Sequence, residues 1–242
     1  MLTKAEIQLY RSLGDKRERD THGLFVAEGA KLVGEIVQSP LHIVRLMTTA
    51  DFPNAEQISV KDMERISQLK TPTDTFAVVE KPRYNLDSAN PESNLVLALD
   101  GVQNPGNVGT IIRLADWFGI RDIVCSTDSA DCFNPKVVQA TMGAILRVRV
   151  HYTDLANYID SLPTTTPIYG TFLEGDNLYS RTLENRGLIV MGSEGRGVSS
   201  QVAQRVTHKI FIPPYPADCQ TSESLNVAIA TAVICAEIRR PK

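Results

Sequence analysis

The chain has 242 residues, of which 43% are hydrophobic and 22% are charged. This length fits one or two globular domains, and the composition excludes a largely disordered chain. No sequence period is sustained, which excludes coiled coils, collagen and repeat solenoids. The net charge is -3, so an RNA partner has to be met by a local basic patch rather than by bulk charge.

The chain start has no apolar core of a signal peptide, and the most apolar stretch, Val227–Ala236, is much shorter than the roughly 20 residues of a membrane span. We therefore expect a cytoplasmic protein with no membrane partner. The four cysteines form no C-x-x-C pair, and no histidine stands at zinc-finger spacing. Reduced thiols and no metal site are expected.

The first 80 residues predict a small mixed α/β domain. Apolar periodicity predicts helices over 3–13, 28–38 and 61–69 and strands over 41–48 and 75–80. Residues 81–94 contain two prolines and many turn formers, which is typical of a linker.

Strands and helices alternate over residues 95–242, which predicts an α/β domain. Leu95–Leu99 is continuously apolar, as expected for a strand covered on both faces of a parallel sheet. Further strands are predicted over 123–125, 146–151, 167–172, 187–191 and 209–212, with helices over 108–118, 135–142, 153–160, 199–206 and 223–239. Because ligands bind at the carboxyl ends of such strands, the loops after Leu99, Phe172, Met191 and Ile212 form the candidate site.

The first of these loops runs from Asp100 into a helix and is rich in asparagine and glycine. Asn104 or Asn107 can cap that helix. Gly109 lies in its first turns, where glycine costs about 1 kcal/mol relative to alanine, which indicates a close approach to the backbone. Arg113 follows four residues later on the same face. A capped helix with a surface arginine is the alternative interpretation.

The second loop, Gly192–Gly197, has three glycines after a buried strand. Their order is not G-x-G-x-x-G and no Gly-Lys-Ser/Thr follows, so a phosphate cradle is not favoured. Glu194 would also oppose a pyrophosphate. We expect peptide groups that contact an uncharged adenosine, with Glu194 holding Arg113. A glycine-rich turn with a solvated glutamate is the alternative.

The third loop follows Ile212 and leads into a helix that opens with Ser224 and Asn226. Both residue types are poor in helix interiors and common at helix starts. The alanines behind them, such as Ala228, allow close packing of this helix.

Taken together, the three loops resemble the TrmH/SpoU family of RNA ribose methyltransferases, within the SPOUT superfamily. The first family motif, N-x-G-x-x-x-R-x-A, matches Asn107–Ala115. The second, Gly-x-Glu-Gly-x-Gly, matches Gly192–Gly197, and the third, Ile-Pro followed by Ser-Leu-Asn-Val, matches Ile212-Pro213 and Ser224–Val227. Each motif alone would be a weak signal, whereas three in order over 95–242 are specific.

The N-terminal part is similar to the substrate-binding domain of many members, a ribosomal-protein-like α/β fold. The match covers Tyr10–Leu13 and Gly23–Gly29 and is shorter and less specific. In the family this domain holds RNA, which here would employ Arg11, Lys16, Arg17, Arg19 and Lys31. The alternative interpretation is a solvated helix end of mixed charge, because acidic residues stand beside these basic ones.

The resemblance implies methyl transfer from S-adenosylmethionine to a ribose 2′-hydroxyl. It implies a C-terminal α/β domain with a mainly parallel sheet and a deep trefoil knot over 95–242, a linker over 81–94 and the smaller RNA-binding domain over 1–80. Family members work as homodimers, so we expect a homodimer with the last helix at the interface. Ribosomal RNA is the expected substrate, because the first domain is ribosomal-protein-like, with transfer RNA as the alternative.

The resemblance also implies roles for single residues. Arg113 would face the ribose and its phosphate and stabilise the developing alkoxide, and Glu194 would hold Arg113. Asn107, Ser224 and Asn226 would orient the substrate. The residues expected to bind the cofactor are Thr171, Phe172, Gly192, Gly197, Ile212 and Leu225. The sequence departs from the family in a longer loop between Ile212 and Ser224 and in Ala228, where many members have serine.

Other functions stay open at this point. A non-catalytic RNA-binding protein of the same fold is one, although the intact Asn107, Arg113 and Glu194 argue against it. An enzyme for a dinucleotide or small substrate is another, but it needs a phosphate loop that the sequence lacks. Methyl transfer to a base is a third, and the combination of Ser-Leu-Asn with N-x-G-x-x-x-R favours ribose.

Overall fold

The computed structural model describes residues 2–216 and 222–241, which form two compact units. The first unit comprises the residues up to Arg83 together with Asp131–Leu146. The second comprises Tyr84–Ala130 and the residues from Arg147 onward. The sequence prediction places everything after residue 94 in one domain, whereas Asp131–Leu146 packs with the first unit.

The helices and strands alternate through most of the chain. In chain order they are α1 (Lys4–Ser12), α2 (Lys16–His22), β1 (Leu24–Glu28), α3 (Ala30–Val37), β2 (Ile43–Thr48), β3 (Glu56–Gln57), α4 (Val60–Ile66), β4 (Thr75–Glu80), β5 (Leu95–Asp100), α5 (Pro105–Trp117), β6 (Asp122–Ser126), α6 (Pro135–Thr141), β7 (Arg149–Thr153), α7 (Leu155–Asp160), β8 (Ile168–Asn177), β9 (Gly187–Gly192), α8 (Ser200–Ala203), β10 (His208–Phe211) and α9 (Val227–Ile238). Among the described residues, no helix has the length and apolar character needed to cross a membrane.

The first unit is mixed α/β, as predicted, with strand order β1-β4-β2-β3. The sequence prediction missed α2 and β1. α2 has no apolar periodicity and is defined by its ends, since the Asp15 side chain accepts a hydrogen bond from the Arg17 N–H at 2.7 Å and Gly23 ends the helix at φ +66°. β1 has four apolar residues followed by Glu28, and such short runs cannot be told from helix by periodicity.

The second unit contains a sheet of order β10-β8-β9-β5-β6-β7, in which every neighbouring pair is parallel. This confirms the predicted parallel sheet. β5 is buried at all six positions, as its continuous apolar run predicts. The last helix begins at Val227 rather than at residue 223, because Asn226 is its N-cap.

Much of the predicted linker is ordered within the second unit. The Tyr158 hydroxyl donates to the Ala89 carbonyl at 2.7 Å, and the Ser88 hydroxyl donates to the Asp122 carboxylate at 3.1 Å. The predicted linker is therefore fixed to this unit from residue 84 onward.

Candidate functional site

The parallel sheet brings the described parts of three predicted loops to one edge of the second unit. The fourth prediction is wrong, because no loop follows Phe172 and β8 continues to Asn177. β5 and β9 are neighbours, and Asp100 pairs with Gly192 at the last position of their register. α9 packs against α5. The start of α5, the glycine loop after β9 and the start of α9 therefore meet at the carboxyl ends of the strands, as expected for this sheet type.

Asn104, not Asn107, caps α5. Its Oδ1 accepts hydrogen bonds from the N–H groups of Gly106 at 2.8 Å and Asn107 at 3.4 Å. The side chain of Asn107 is therefore free to bond elsewhere.

Glu194 joins the three motifs in one hydrogen-bonded cluster. Its Oε1 accepts from Nδ2 of Asn107 at 3.0 Å and from Nδ2 of Asn226 at 2.5 Å. Nδ2 of Asn226 also donates to Oδ1 of Asn107 at 3.0 Å. Oδ1 of Asn226 caps α9 by accepting from the N–H groups of Ala228 and Ile229.

Glu194 therefore lies beside the amino ends of two helices. Asn107 is in the first turn of α5, and Asn226 is the N-cap of α9. Helix amino ends favour a negative charge, by about 0.3–1 kcal/mol each. Glu194 is exposed but partnered, which rules out the alternative of a glutamate held only by solvent.

The predicted ion pair between Glu194 and Arg113 is wrong. Within the described residues no ion pair joins them, and Glu194 accepts from the two asparagines instead. Arg113 stands six residues after Asn107, roughly 9 Å further along the helix axis. Its side chain is exposed on α5.

The glycine loop is shaped by backbone contacts. Ser193 and Gly197 exchange two backbone hydrogen bonds, of 3.0 and 2.8 Å. A Cβ at Gly192 would lie 2.2 Å from the carbonyl carbon of Gly197, so only glycine fits there. Gly197 has φ +66°, a left-handed conformation that also favours glycine.

Thr171 and Phe172 lie in β8, beside β9. The Thr171 hydroxyl donates to the Val190 carbonyl at 3.1 Å, and the Phe172 ring lies 5.1 Å from Nζ of Lys209. Both residues are half-buried, so they can add a wall but are also used for packing between strands.

The loop before α9 is described in part. Ile212 is half-buried, Leu225 is 48% exposed and Ser224 is exposed. Residues 217–221 of the long loop between Ile212 and Ser224 lie outside the described residues, and the prediction about that loop falls in part on them.

The sequence analysis missed a polar network beside this site. The Asp100 carboxylate accepts from the Ser199 N–H at 2.6 Å. Ser126, the last residue of β6, and Ser129, in the turn after it, accept from backbone N–H groups of the loop after β5 at 2.8 and 3.2 Å. The signal was present, since polar residues follow β6 directly, but the carboxyl end of that strand was not among the loops considered.

One predicted RNA contact in the first unit is wrong. Arg19 is 1% exposed, and its Nη2 lies 2.6 Å from Oδ2 of Asp131 in a buried ion pair. Its Nη1 donates to two backbone carbonyls at 2.8 Å. RNA cannot reach this guanidinium. The other four predicted residues are exposed, namely Arg11, Lys16, Arg17 and Lys31.

Comparisons with known proteins point to the same family as the three motifs. Residues 94–236 match the model of the SpoU rRNA Methylase family, and residues 4–79 match that of the MRM3-like substrate binding domain. The chain is 29% identical to 23S rRNA (guanosine(2553)-2′-O)-methyltransferase RlmP of Bacillus subtilis, over 97% of this chain and 96% of that protein.

Two solved structures are similar over nearly the whole chain. A TrmH-family protein from Porphyromonas gingivalis is 41% identical, with a TM-score of 0.85 and 99% of both chains covered. An AdoMet-bound rRNA methyltransferase from Sinorhizobium meliloti is 26% identical, with a TM-score of 0.87, over 99% of this chain and 96% of that one. Since the methylase model spans all three motif loops and more than half of the sequence, the chain belongs to the SpoU rRNA methylase family.

Proposed function

We propose that this chain transfers a methyl group from S-adenosylmethionine to the 2′-hydroxyl of a ribose in ribosomal RNA. The cluster of Asn107, Glu194 and Asn226 carries the proposal, because it joins the three family motifs at one place. The relatives from Bacillus subtilis and Sinorhizobium meliloti are both named as rRNA methyltransferases, which favours ribosomal over transfer RNA.

The described loops suit S-adenosylmethionine because they offer peptide groups and apolar surface rather than a basic phosphate cradle. Arg196 is the one basic residue of the glycine loop, and its Nη2 lies 3.4 Å from the Asp128 carboxylate. Ile212 and Leu225 supply the apolar surface. The residues that would hold the adenosine are Thr171, Phe172, Gly192, Gly197, Ile212 and Leu225.

When bound, the cofactor supplies a methyl group already activated on a sulfonium. The protein then has to align the ribose oxygen, and alignment can supply roughly 7–11 kcal/mol in favourable cases. Asn107, Asn226 and Ser224 orient the substrate, and Glu194 fixes both asparagines.

Arg113 acts on the ribose directly. Arginine stays protonated in proteins, so its side chain serves as an orienting cation that stabilises the developing alkoxide rather than as the base. The hydroxyl proton passes to a phosphate oxygen or to water. This role needs the exposed position that Arg113 has on α5.

We also propose a homodimer formed through α9 and α5. α9 carries one charged residue, Glu237, and Ile229 on this helix is 54% exposed. Trp117, at the end of α5, is 84% exposed. A helix that is apolar on all sides and adjoins such exposed side chains is typical of an interface.

The remaining expectations stay predictions. They are RNA binding by residues 1–80 through Arg11, Lys16, Arg17 and Lys31, the trefoil knot within residues 95–242, and a cytoplasmic location.

The test uses methyl-labelled S-adenosylmethionine and total RNA from a strain that lacks this gene. Label is counted in the ribosomal and transfer RNA fractions. We expect label in the ribosomal fraction with the wild type and with Arg121→Ala, a surface arginine of the same unit, but none with Arg113→Ala.

Label in transfer RNA alone would make transfer RNA the substrate. Cofactor binding without label in any fraction would favour the non-catalytic RNA-binding protein. Near-full activity of Arg113→Lys would remove the need for the forked guanidinium contact.

A further inference from the structure

We propose that Asp100 is a positioning residue that holds the glycine loop in its cofactor-binding shape and thereby sets the affinity for S-adenosylmethionine. The inference rests on the proposed function. Asp100 is the last residue of β5 and lies outside the three motifs that define the site.

The loop leaves the sheet at Gly192 and ends at Ser199, the N-cap of α8. Gly192 pairs with Asp100 across the β5–β9 ladder. The hairpin closed by Ser193 and Gly197 folds back until the amide nitrogen of Val198 would lie 2.3 Å from a Cβ on Gly192. The next N–H, that of Ser199, donates to Oδ2 of Asp100 at 2.6 Å. One residue of β5 therefore borders both ends of the loop.

Hydrogen bonds hold most of this loop, and Val198 near its end packs against the hydrophobic core. Residues 194–197 are exposed, so they contribute little buried apolar surface. At the tip, Glu194 is held by Asn107 and Asn226. At the base, Asp100 is 8% exposed, and a hydrogen bond from a peptide N–H to a carboxylate is among the stronger kinds. Without the base contact the loop has to be ordered when the cofactor binds, which weakens binding.

The measurement is the Kd for S-adenosylmethionine by calorimetry, together with KM and kcat for methyl transfer. We expect Asp100→Ala to raise Kd and KM about tenfold and to leave kcat at saturating cofactor within about threefold of the wild type. Asp100→Asn keeps an oxygen that can accept from Ser199, so it should bind more tightly than Asp100→Ala. If Asp100 were needed only for folding, Asp100→Ala would lower the thermal midpoint and the fraction of active protein. The apparent kcat would then fall, and KM would stay at the wild-type value.

A matched pair at Ser199 tests the same bond from its donor side. Ser199 has φ -61°, which proline adopts, so Ser199→Pro removes the N–H without straining φ. Its Cδ takes the place of the amide hydrogen, so the Asp100 carboxylate has to turn away from residue 199. Ser199→Ala keeps the N–H and loses only the side-chain cap of α8, as the proline variant also does. We expect weaker cofactor binding for Ser199→Pro than for Ser199→Ala.

Equal Kd values for the Ser199 pair, or a Kd for Asp100→Ala within twofold of the wild type, would overturn the inference alone. Failure of the wild type to bind S-adenosylmethionine would overturn the proposed function and this inference with it.

Discussion

Arg19 and Lys16 stand three residues apart on α2, yet burial gives them different roles. Arg19 is in a buried ion pair with Asp131, whereas Lys16 is in an exposed pair with Asp20. Removing one partner of a buried pair typically costs about 3–5 kcal/mol, and an exposed pair contributes about 0–1 kcal/mol.

We therefore expect Arg19→Met to lower the free energy of unfolding by about 3 kcal/mol, because the Asp131 carboxylate loses its counter-charge. Lys16→Met should change it by about 0.5 kcal/mol or less. Urea unfolding followed by circular dichroism measures both. Equal stabilities of the two variants would show that Arg19 is not the structural residue described here.

A substitution at Asn226 can remove its contact with Glu194 and still keep the cap of α9. Aspartate caps helices as well as asparagine does, but it places a second carboxylate against Glu194 and removes the donor. We expect Asn226→Asp to lower methyl transfer by at least about tenfold.

Asn104→Asp is the matched control, because Asn104 caps α5 and no hydrogen bond joins it to Glu194 among the described side chains. The Asn104→Asp variant should stay close to wild-type activity. If Asn226→Asp behaved in the same way, the cluster would not be needed for catalysis.

At the scale of elements, Asp122 ties β6 to β7. Burial raises the pKa of its carboxyl, but hydrogen bonds from Arg149 and His151 outweigh this and bring the pKa down from 3.8 to about 2. Because the folded-state pKa lies below the unfolded value, the stabilisation is present above pH 4 and is lost as the pH falls from about 4 to about 2.

Asp122→Asn should therefore be less stable than the wild type at pH 7, by on the order of 2 kcal/mol. The difference should narrow steadily below pH 4 in urea unfolding. Asp160→Asn, which breaks an exposed pair with Arg205, should show a much smaller difference at pH 7. If the difference in unfolding free energy between Asp122→Asn and the wild type did not change with pH, the lowered pKa of Asp122 would be contradicted.

The elements that the sequence predicts well are those with a strong local pattern. β5 is a continuous apolar run, and α5 follows it with a capping asparagine and apolar periodicity. The packing of Asp131–Leu146 with the first unit depends on contacts between distant residues, such as the rings of Phe25 and Phe133 at 4.9 Å. Local sequence patterns do not predict contacts between residues that are distant in the chain.

The same limit applies to the site. Its location follows from motif order and from the rule for parallel strands, and the residues of the cluster are all motif residues. Which residue Glu194 contacts depends on how the start of α5 meets the start of α9. Charge alone suggested Arg113, whereas the fold places two amide donors nearer.

At the scale of the whole molecule, the apolar surface of α9 predicts self-association. Ile229→Glu puts a charge on that surface, so we expect it to shift the protein from dimer to monomer in sedimentation velocity. Val60→Glu is the matched control, since Val60 is 63% exposed on α4 of the first unit. A dimer that survives Ile229→Glu would place the interface elsewhere.

The position of the transferred methyl group tests the central claim most directly. Ribosomal RNA labelled by the wild type from methyl-labelled S-adenosylmethionine is digested to nucleosides, which are separated and identified by mass spectrometry. We expect the label in a 2′-O-methyl nucleoside, and none when Arg113→Ala is used. Label on a base, or cofactor binding without any labelled nucleoside, would contradict ribose methylation at the site that contains the cluster of Asn107, Glu194 and Asn226.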